Sequence, residues 1–251
     1  MSHAEHTDTA LRGSYDREAA QYDERRYHSA EGKLFSNLEL AVLRNWLPLT
    51  SRPLVLDMPA GTGRLSWALA ERGATVVGAD ISANMLQVAA SKQTADHEGR
   101  VYFAQASGVD LPFPDNTFDV VTSFKFFHLI PNERKRQFVR EMTRVLKPGK
   151  PLVVEFNSPF YGGILAAVRY YFRKRHAGGM RMKCIFPDQV SWLFEGLEVT
   201  RQQGVKFPLS TVAAAVLGHR VVAELNLWFG RLPGVRYLAY AIIIEAKKPI
   251  G

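Results

Sequence analysis

Two aspartates and two glycines set the first chemical question. Asp57 closes the short apolar run PLVLD, Gly61 and Gly63 follow in the turn MPAGTG, and Asp80 closes a second apolar run, ATVVGAD, 23 residues after Asp57. Glycine is required where the backbone takes a positive φ or approaches a ligand with no Cβ in the way. The helix after such a turn offers unpaired N–H groups to a bound polar group. An acid at the end of the next strand can accept hydrogen bonds from ribose hydroxyls. Two cofactor chemistries compete for this arrangement. A dinucleotide places its pyrophosphate at the helix start, and GTGRLS keeps only the first two glycines of GxGxxG. A sulfonium cofactor has no phosphate and carries an ammonium, for which the Asp57 carboxylate is suited. The residues favour the sulfonium.

The second candidate group is His128, in SFKFFHLIP, shortly after a fourth apolar run. Imidazole ionises near the pH at which a general base must work. The competing role for His128 is to cap the helix that follows. His176 and His219 sit in the less regular second half and can face an acceptor or simply water; Glu155, Asp188 and Glu195 receive no catalytic role. No His, Cys or Asp cluster has metal-ligand spacing, and no serine nucleophile elbow occurs.

These groups need a frame, and the apolar pattern supplies one. Leu34, Leu38, Val42, Leu43 and Trp46 recur at helical spacing before Pro48. Short apolar runs at 53–57, 74–80, 101–106, 118–124 and 151–156 read as strands, and helical patterns at 64–73, 82–95 and 132–149 separate several of them. Strand and helix alternating at this spacing predict a Rossmann-like, doubly wound α/β sheet, mostly parallel, with helices on both faces. Beyond 157 come an aromatic stretch (159–176), FPDQVSWLF, a strand over 197–202, a long apolar helix over about 209–229, and an antiparallel last strand over 236–246. The whole chain, 1–251, reads as one domain: amino-terminal lid helices (1–48), a core (53–157), and insertions (158–196 and 205–235) that overhang the carboxyl edge of the sheet.

Composition agrees with a folded protein. The 251 residues are 47% hydrophobic and carry 32 Lys and Arg against 24 Asp and Glu, a net charge of +8. A single cysteine, Cys184, forms neither an internal disulfide nor a Cys-built zinc site, and a cytoplasmic location is the expectation. The polar, acid-containing amino terminus is unlike a signal or transit peptide, and no uncharged run reaches the roughly 18–20 residues of a spanning helix. Six basic residues and no acid occupy 157–186: Arg169, Arg173, Lys174, Arg175, Arg181 and Lys183. A second basic run, Arg134 to Lys150, reads as the exposed face of a helix behind the sheet.

At this point the chain resembles a known family. Asp57-Met58-Pro59-Ala60-Gly61-Thr62-Gly63 is similar to motif I of the class I S-adenosylmethionine-dependent methyltransferases, and Gly78-Ala79-Asp80-Ile81-Ser82 with Met85 is similar to motif II. LPFPDNTFD (111–119) resembles the stretch before the family's fourth strand, and RVLKPGK (144–150) the loop before its fifth. The four motifs, in order, cover about residues 15–157, and the closest branch contains the ubiquinone and menaquinone methyltransferases. The resemblance implies S-adenosyl-L-methionine as cofactor. It assigns Asp57, Ala60, Gly61 and Gly63 to the methionine part, Asp80 to the ribose, and Ile81 and Met85 to the adenine. Ser107 and Gly108 stand where many members carry an acid for the adenine amino group, and Ser123 ends the fourth strand at the same edge. The segment SYDREAAQYDERRY resembles the family's lid, which offers Tyr22 and Arg26, the latter to the cofactor carboxylate. The implied acceptor is a small hydrophobic or amphipathic molecule, quinone-, lipid- or natural-product-like, with peripheral membrane contact through 159–183; nucleic acid fits poorly, because the base-methylation motifs are absent. Two rival classes remain: an NAD(P)-dependent oxidoreductase using the same glycine turn, and a protein that binds S-adenosylmethionine without turnover.

Overall fold

Short apolar runs that carry no exposed face suit a parallel sheet covered on both sides. The computed structural model, which describes residues 3–49, 51–95, 99–130, 132–161 and 184–250, has this arrangement. Its helices are α1 (His3–Glu18), α2 (Tyr22–Tyr27), α3 (Ala30–Trp46), α4 (Arg64–Ala70), α5 (Ala83–Ala90), α6 (Asn132–Val145), α7 (Pro187–Leu193), α8 (Ser210–Leu217) and α9 (His219–Phe229). Its strands are β1 (Leu54–Asp57), β2 (Thr75–Asp80), β3 (Val101–Gln105), β4 (Val120–Ser123), β5 (Pro151–Asn157), β6 (Glu198–Val205) and β7 (Ala241–Lys247).

The seven strands order as β3-β2-β1-β4-β5-β7-β6. β1 to β5 are parallel, and β7 runs antiparallel between β5 and β6, as the sequence leads one to expect of the last strand. The chain winds to one side through β2 and β3 and to the other through β4 and β5. The β1/β4 seam is therefore the topological switch point, outside whose carboxyl edge open α/β sheets bind ligands. Leu38, Val42, Trp67 and Leu69 cover one face of the sheet, and Phe127, Phe138, Met142 and Phe194 the other. Caps appear where the side chains allow them: Ser29 Oγ accepts from Gly32 N at 3.0 Å, and Ser82 Oγ from Met85 N at 3.1 Å.

Three expectations need correction. The apolar helix over 209–229 is two helices, because Gly218 takes φ 84° and ψ 150°, outside helical space. The last strand begins at Ala241 rather than 236: Val235–Leu238 form a 3₁₀ turn after Gly234 (φ 80°), where Tyr237 Oη donates to Gln202 Oε1 at 3.0 Å and the segment crosses β6. The basic run of α6 is not simply an exposed face. Arg134 and Lys135 are buried, Arg136 pairs with Glu195, Arg144 with Asp115 and Glu141, and Lys147 with Asp119. The basic cluster at 169–183, with His176, lies outside the described residues.

Candidate active site

The glycine turn is held from both sides. Met58 N donates to Thr122 O at 2.9 Å and Ala60 N to Ala79 O at 2.8 Å, which fasten it to β4 and β2; the Met58–Pro59 peptide is cis. Gly61 N donates to Asp80 Oδ2 at 2.8 Å, and Asp80 Oδ1 accepts from Ser82 N at 2.9 Å. Asp80 thus ties the turn to the start of α5 while keeping lone pairs for hydroxyl donors. Gly61 has φ +54° and open space where a Cβ would stand.

Asp57 is 1% exposed at the end of β1, with Ser66 Oγ donating to its Oδ2 at 2.7 Å and Thr122 Oγ1 to its Oδ1 at 3.1 Å. Burial nevertheless pushes its carboxyl up to about 6, the hydroxyl bonds offsetting only part of the effect. Burial raises Asp80 as well, against three backbone N–H donors. Two buried carboxyl groups at one edge, both held above their ordinary range, suit a ligand that brings positive charge to one of them and hydroxyl donors to the other.

The amino-terminal helices close over this edge because two acids anchor them. Ser82 Oγ donates to Asp16 Oδ1 at 2.5 Å and Asn84 Nδ2 to Asp16 O at 3.0 Å, while Thr62 Oγ1 donates to Asp23 Oδ1 at 2.5 Å and Lys92 pairs with Asp23. Docked in this way, the lid presents Tyr15, Tyr22 and Tyr27 to two adjoining cavities. Consecutive rings pack edge to face, 6.1 and 6.2 Å between centroids. Burial raises all three phenols, so they stay neutral.

The first cavity, about 750 Å³ counting its open mouth, is bordered by Asp57, Ala60, Gly61, Asp80, Ile81 and Met85 below the tyrosines. Six of the residues singled out in the sequence therefore converge. Ser107 and Gly108 border a smaller neighbour of about 310 Å³, which shares Pro59, Ile81 and Phe126 with the first. Arg26 and His128 border the second large cavity, of about 820 Å³, and not the first. Arg26 is exposed, its guanidinium 5.6 Å from the Tyr22 ring centre. Gly63 and Ser123 border none of the three. Gly63, at φ +78°, lets α5 approach: a Cβ there would stand 2.9 Å from both Ala89 Cβ and Trp67 Nε1. Ser123 is wholly buried within β4.

The second cavity is bordered by Phe35, Lys125, Glu155, Asn157, Lys206 and Tyr240 besides the lid tyrosines. Lys125 Nζ lies 2.5 Å from Glu39 Oε1 and 3.4 Å from the Phe35 ring centre, and Arg64 Nη2 lies 2.7 Å from Glu39 Oε2. Lys125 takes a left-handed φ of 55°, a conformation that costs a non-glycine residue about 1 kcal/mol or more and clusters at functional sites. Lys206 Nζ sits 4.5 Å over the Tyr240 ring and pairs with Glu31. The sequence reading missed Tyr15, Tyr27, Glu39, Lys125 and Lys206 as site residues. One signal was available: Glu39 is the one acid among the buried residues of α3, set between Leu38 and Val42.

A doubly wound sheet with a glycine turn at its switch point, an acid closing the second strand, and a lid over both defines a Rossmann-like nucleoside-cofactor protein. Comparison with known proteins sharpens the class. The methyltransferase domain family matches residues 55–149. The demethylmenaquinone methyltransferase of Lactiplantibacillus plantarum is 34% identical over 176 residues, 65% of this chain and 70% of that protein. The enzyme of the same name from Clavibacter sepedonicus is 45% identical over 107 residues, 42% of each chain. The chain spans about half the length of several curated relatives it matches, 42% for Clavibacter and 54% for the Thermus thermophilus protein. In fold it is similar to the magnesium protoporphyrin IX methyltransferase from Synechocystis PCC 6803 with bound SAH (TM-score 0.65, 16% identity, 96% of this chain and 99% of that one). The chain belongs to the class I S-adenosylmethionine-dependent methyltransferases.

Proposed function

We propose that this protein moves a methyl group from S-adenosylmethionine, held in the first cavity, to a small hydrophobic or amphipathic acceptor received in the second. The observation that carries the reading is the shared wall: Tyr15, Tyr22, Tyr27 and Lys125 border both cavities, with buried acids on one side and aromatic rings and cations on the other. In the first cavity Asp80 is placed for ribose hydroxyls, Asp57 for the ammonium end, and Ile81 and Met85 for the adenine face. When bound, the cofactor supplies an electrophilic methyl group whose transfer disperses positive charge, so a dry, aligned site provides much of the rate. The tyrosines and Phe124 exclude water from that line.

The acceptor proposed is a hydroxylated aromatic of the quinol kind, in keeping with the names of the relatives. Phe35 and Tyr240 offer edges and faces to a ring, and Lys125 and Lys206 offer cations to its oxygens. An apolar tail fits a second observation. On α8 and α9 the side chains Val212, Val216, Val221, Leu225 and Trp228 are 42–78% exposed, at helical spacing. Arg220, Arg231 and Arg236 lie on or just beyond these helices, a combination suited to an anionic lipid surface. No helix among the described residues is long and apolar enough to cross a membrane. The location proposed is cytoplasmic, with peripheral membrane contact through this stripe. The contact expected through 159–183 falls outside the described residues from 162 onward.

The test is labelled-methyl transfer into fractionated lipid extract, tRNA and DNA, with a melting-temperature control. S-adenosylmethionine should raise the melting temperature, Asp80→Ala should abolish the shift, and label should enter the lipid fraction. Stabilisation by NADH alone, or label confined to nucleic acid, refutes the reading.

A further inference from the structure

The second cavity contains a buried acid that the methyl-transfer scheme leaves unused. Glu155, on β5, is 3% exposed, and its Oε2 has no hydrogen-bond partner. It interacts with Glu39, which is 0% exposed and clamped by Lys125 and Arg64. The sheet brings the groups to one edge: β4 pairs with β5 up to Ser123 and Val154, and Lys125, just past β4, borders the same cavity as Glu155. The other charged or titratable groups around this cavity are Tyr15 of α1, Tyr22, Arg25, Arg26 and Tyr27 of α2, Glu31 of α3, and His128, Lys206 and Tyr240 from the rest of its wall.

We propose that Glu155 is the base that takes the hydroxyl proton of the acceptor in this cavity, with Glu39 and Lys125 positioning it. The inference rests on the hydroxylated-aromatic reading of the acceptor. In the step, the acceptor's O–H bond breaks and its proton passes to the Glu155 carboxylate. The electron pair left on the acceptor, on oxygen or a conjugated ring carbon, forms the new bond to the methyl carbon, and the carbon–sulfur pair stays on sulfur. At a ring carbon the displaced hydrogen leaves as a proton and the hydroxyl is restored, so one proton is released in either case.

The surroundings match the task. Burial and the neighbouring Glu39 carboxylate push Glu155 up to about 8. A phenol ionises near 10, whereas an ordinary Glu side chain ionises near 4.3. The mismatch between acceptor and base therefore narrows from more than five powers of ten to about two. Glu39 has the opposite lot: burial alone would raise it, but Lys125 and Arg64 hold it below the ordinary range, so the pair's proton resides on Glu155.

Glu155→Gln keeps the size and shape of the neutral side chain, so it preserves the fold while removing the base. Two measurements test the proposal on the full chain. The infrared carbonyl stretch of protonated carboxylic acids, followed from pH 6 to 10 without ligands, should show a component that disappears with a midpoint near 8, apart from the Asp57 component near 6, in the wild type and that is missing in Glu155→Gln. With 1,4-naphthohydroquinone as anaerobic acceptor probe, wild-type kcat/KM should rise about tenfold per pH unit to a plateau above 8. Glu155→Gln should lower it by about 10²–10⁴-fold and flatten the profile, and Glu155→Asp should recover part of the rate. Absence of that infrared component, or a Gln variant that keeps the rate and the pH limb, overturns the assignment alone. A wild type that methylates no hydroquinone overturns the acceptor reading and the assignment with it.

Discussion

Replacing Asp57 by Asn should make the free protein more stable and unable to hold its cofactor. The carboxyl is raised from 3.8 to about 6 by burial. At about 1.4 kcal/mol per pK unit, its ionised form costs the native state on the order of 3 kcal/mol at neutral pH. Between pH ~4 and ~6 the folded chain keeps a proton that the unfolded chain releases, so stability falls as pH rises through that window and levels off above it. Asn carries no charge at any pH, but its amide accepts from only one of the two hydroxyl donors, Ser66 and Thr122, which returns about 1–2 kcal/mol of the gain. The net expectation is about 1–2 kcal/mol, or about 2–8 °C for a chain of this size. Scanning fluorimetry from pH 4.5 to 8, with and without S-adenosylmethionine, reads both effects. The variant's advantage should be full above pH 6 and shrink toward pH 4.5, and the ligand-induced shift should vanish. In the wild type, affinity for the cofactor should weaken about tenfold per pH unit below 6. A variant less stable than wild type at pH 7.5 would show that Asp57 is not strained by burial, and one that keeps the ligand shift would show that it is not a partner of the cofactor's cation.

Two further outcomes follow from the packing. Gly63→Ala combines a left-handed φ of +78° with contacts of 2.9 Å to Ala89 and Trp67, and should cost about 2–4 kcal/mol in urea unfolding; a change under 0.5 kcal/mol would mean that α5 is not held as close as the Trp67 Nε1 to Ala89 O bond of 3.0 Å requires. Val216→Glu with Trp228→Glu, both on exposed positions, should leave the melting temperature within a degree or two yet reduce cosedimentation with phosphatidylglycerol vesicles; undiminished sedimentation would remove the α8–α9 stripe as the lipid contact.

The cofactor half of the site was legible because its parts are local. Asp57 and Asp80 each end an apolar run, and the turn and caps between them follow from residue types a few positions apart, so strand boundaries agreed to within three residues from β1 to β5. The acceptor half was not legible, because Glu39, Lys125 and Glu155 meet only through the sheet register and the packing of α3, at sequence separations of 30 residues and more. Gly63 carries a second reason for glycine that the motif does not reveal, the close approach of Ala89 on α5 and Trp67 on α4. For Arg26 the lid pattern fixed that a helix closes the site but not which cavity each of its faces meets, and the side chain borders the second.

The anchoring of the lid bears on how the two halves work together. Asp16 reaches Ser82 and Asn84 at the start of α5, and Asp23 reaches Thr62 in the glycine turn and Lys92 beyond α5. The first two lid helices, α1 and α2, are therefore fastened to the elements that carry Asp80, Gly61 and Met85, while α3 meets the 205–235 insertion through the Glu31–Lys206 pair. The tyrosines of α1 and α2, however, form one wall of the acceptor cavity. A ligand that orders the turn and α5 consequently also fixes Tyr15, Tyr22 and Tyr27, and with them the shape of the second cavity. On the proposed reading, acceptor and cofactor are coupled through these rings, with Asp57 and Asp80 serving the cofactor and the Glu39–Glu155 pair serving the proton on the other side of the wall.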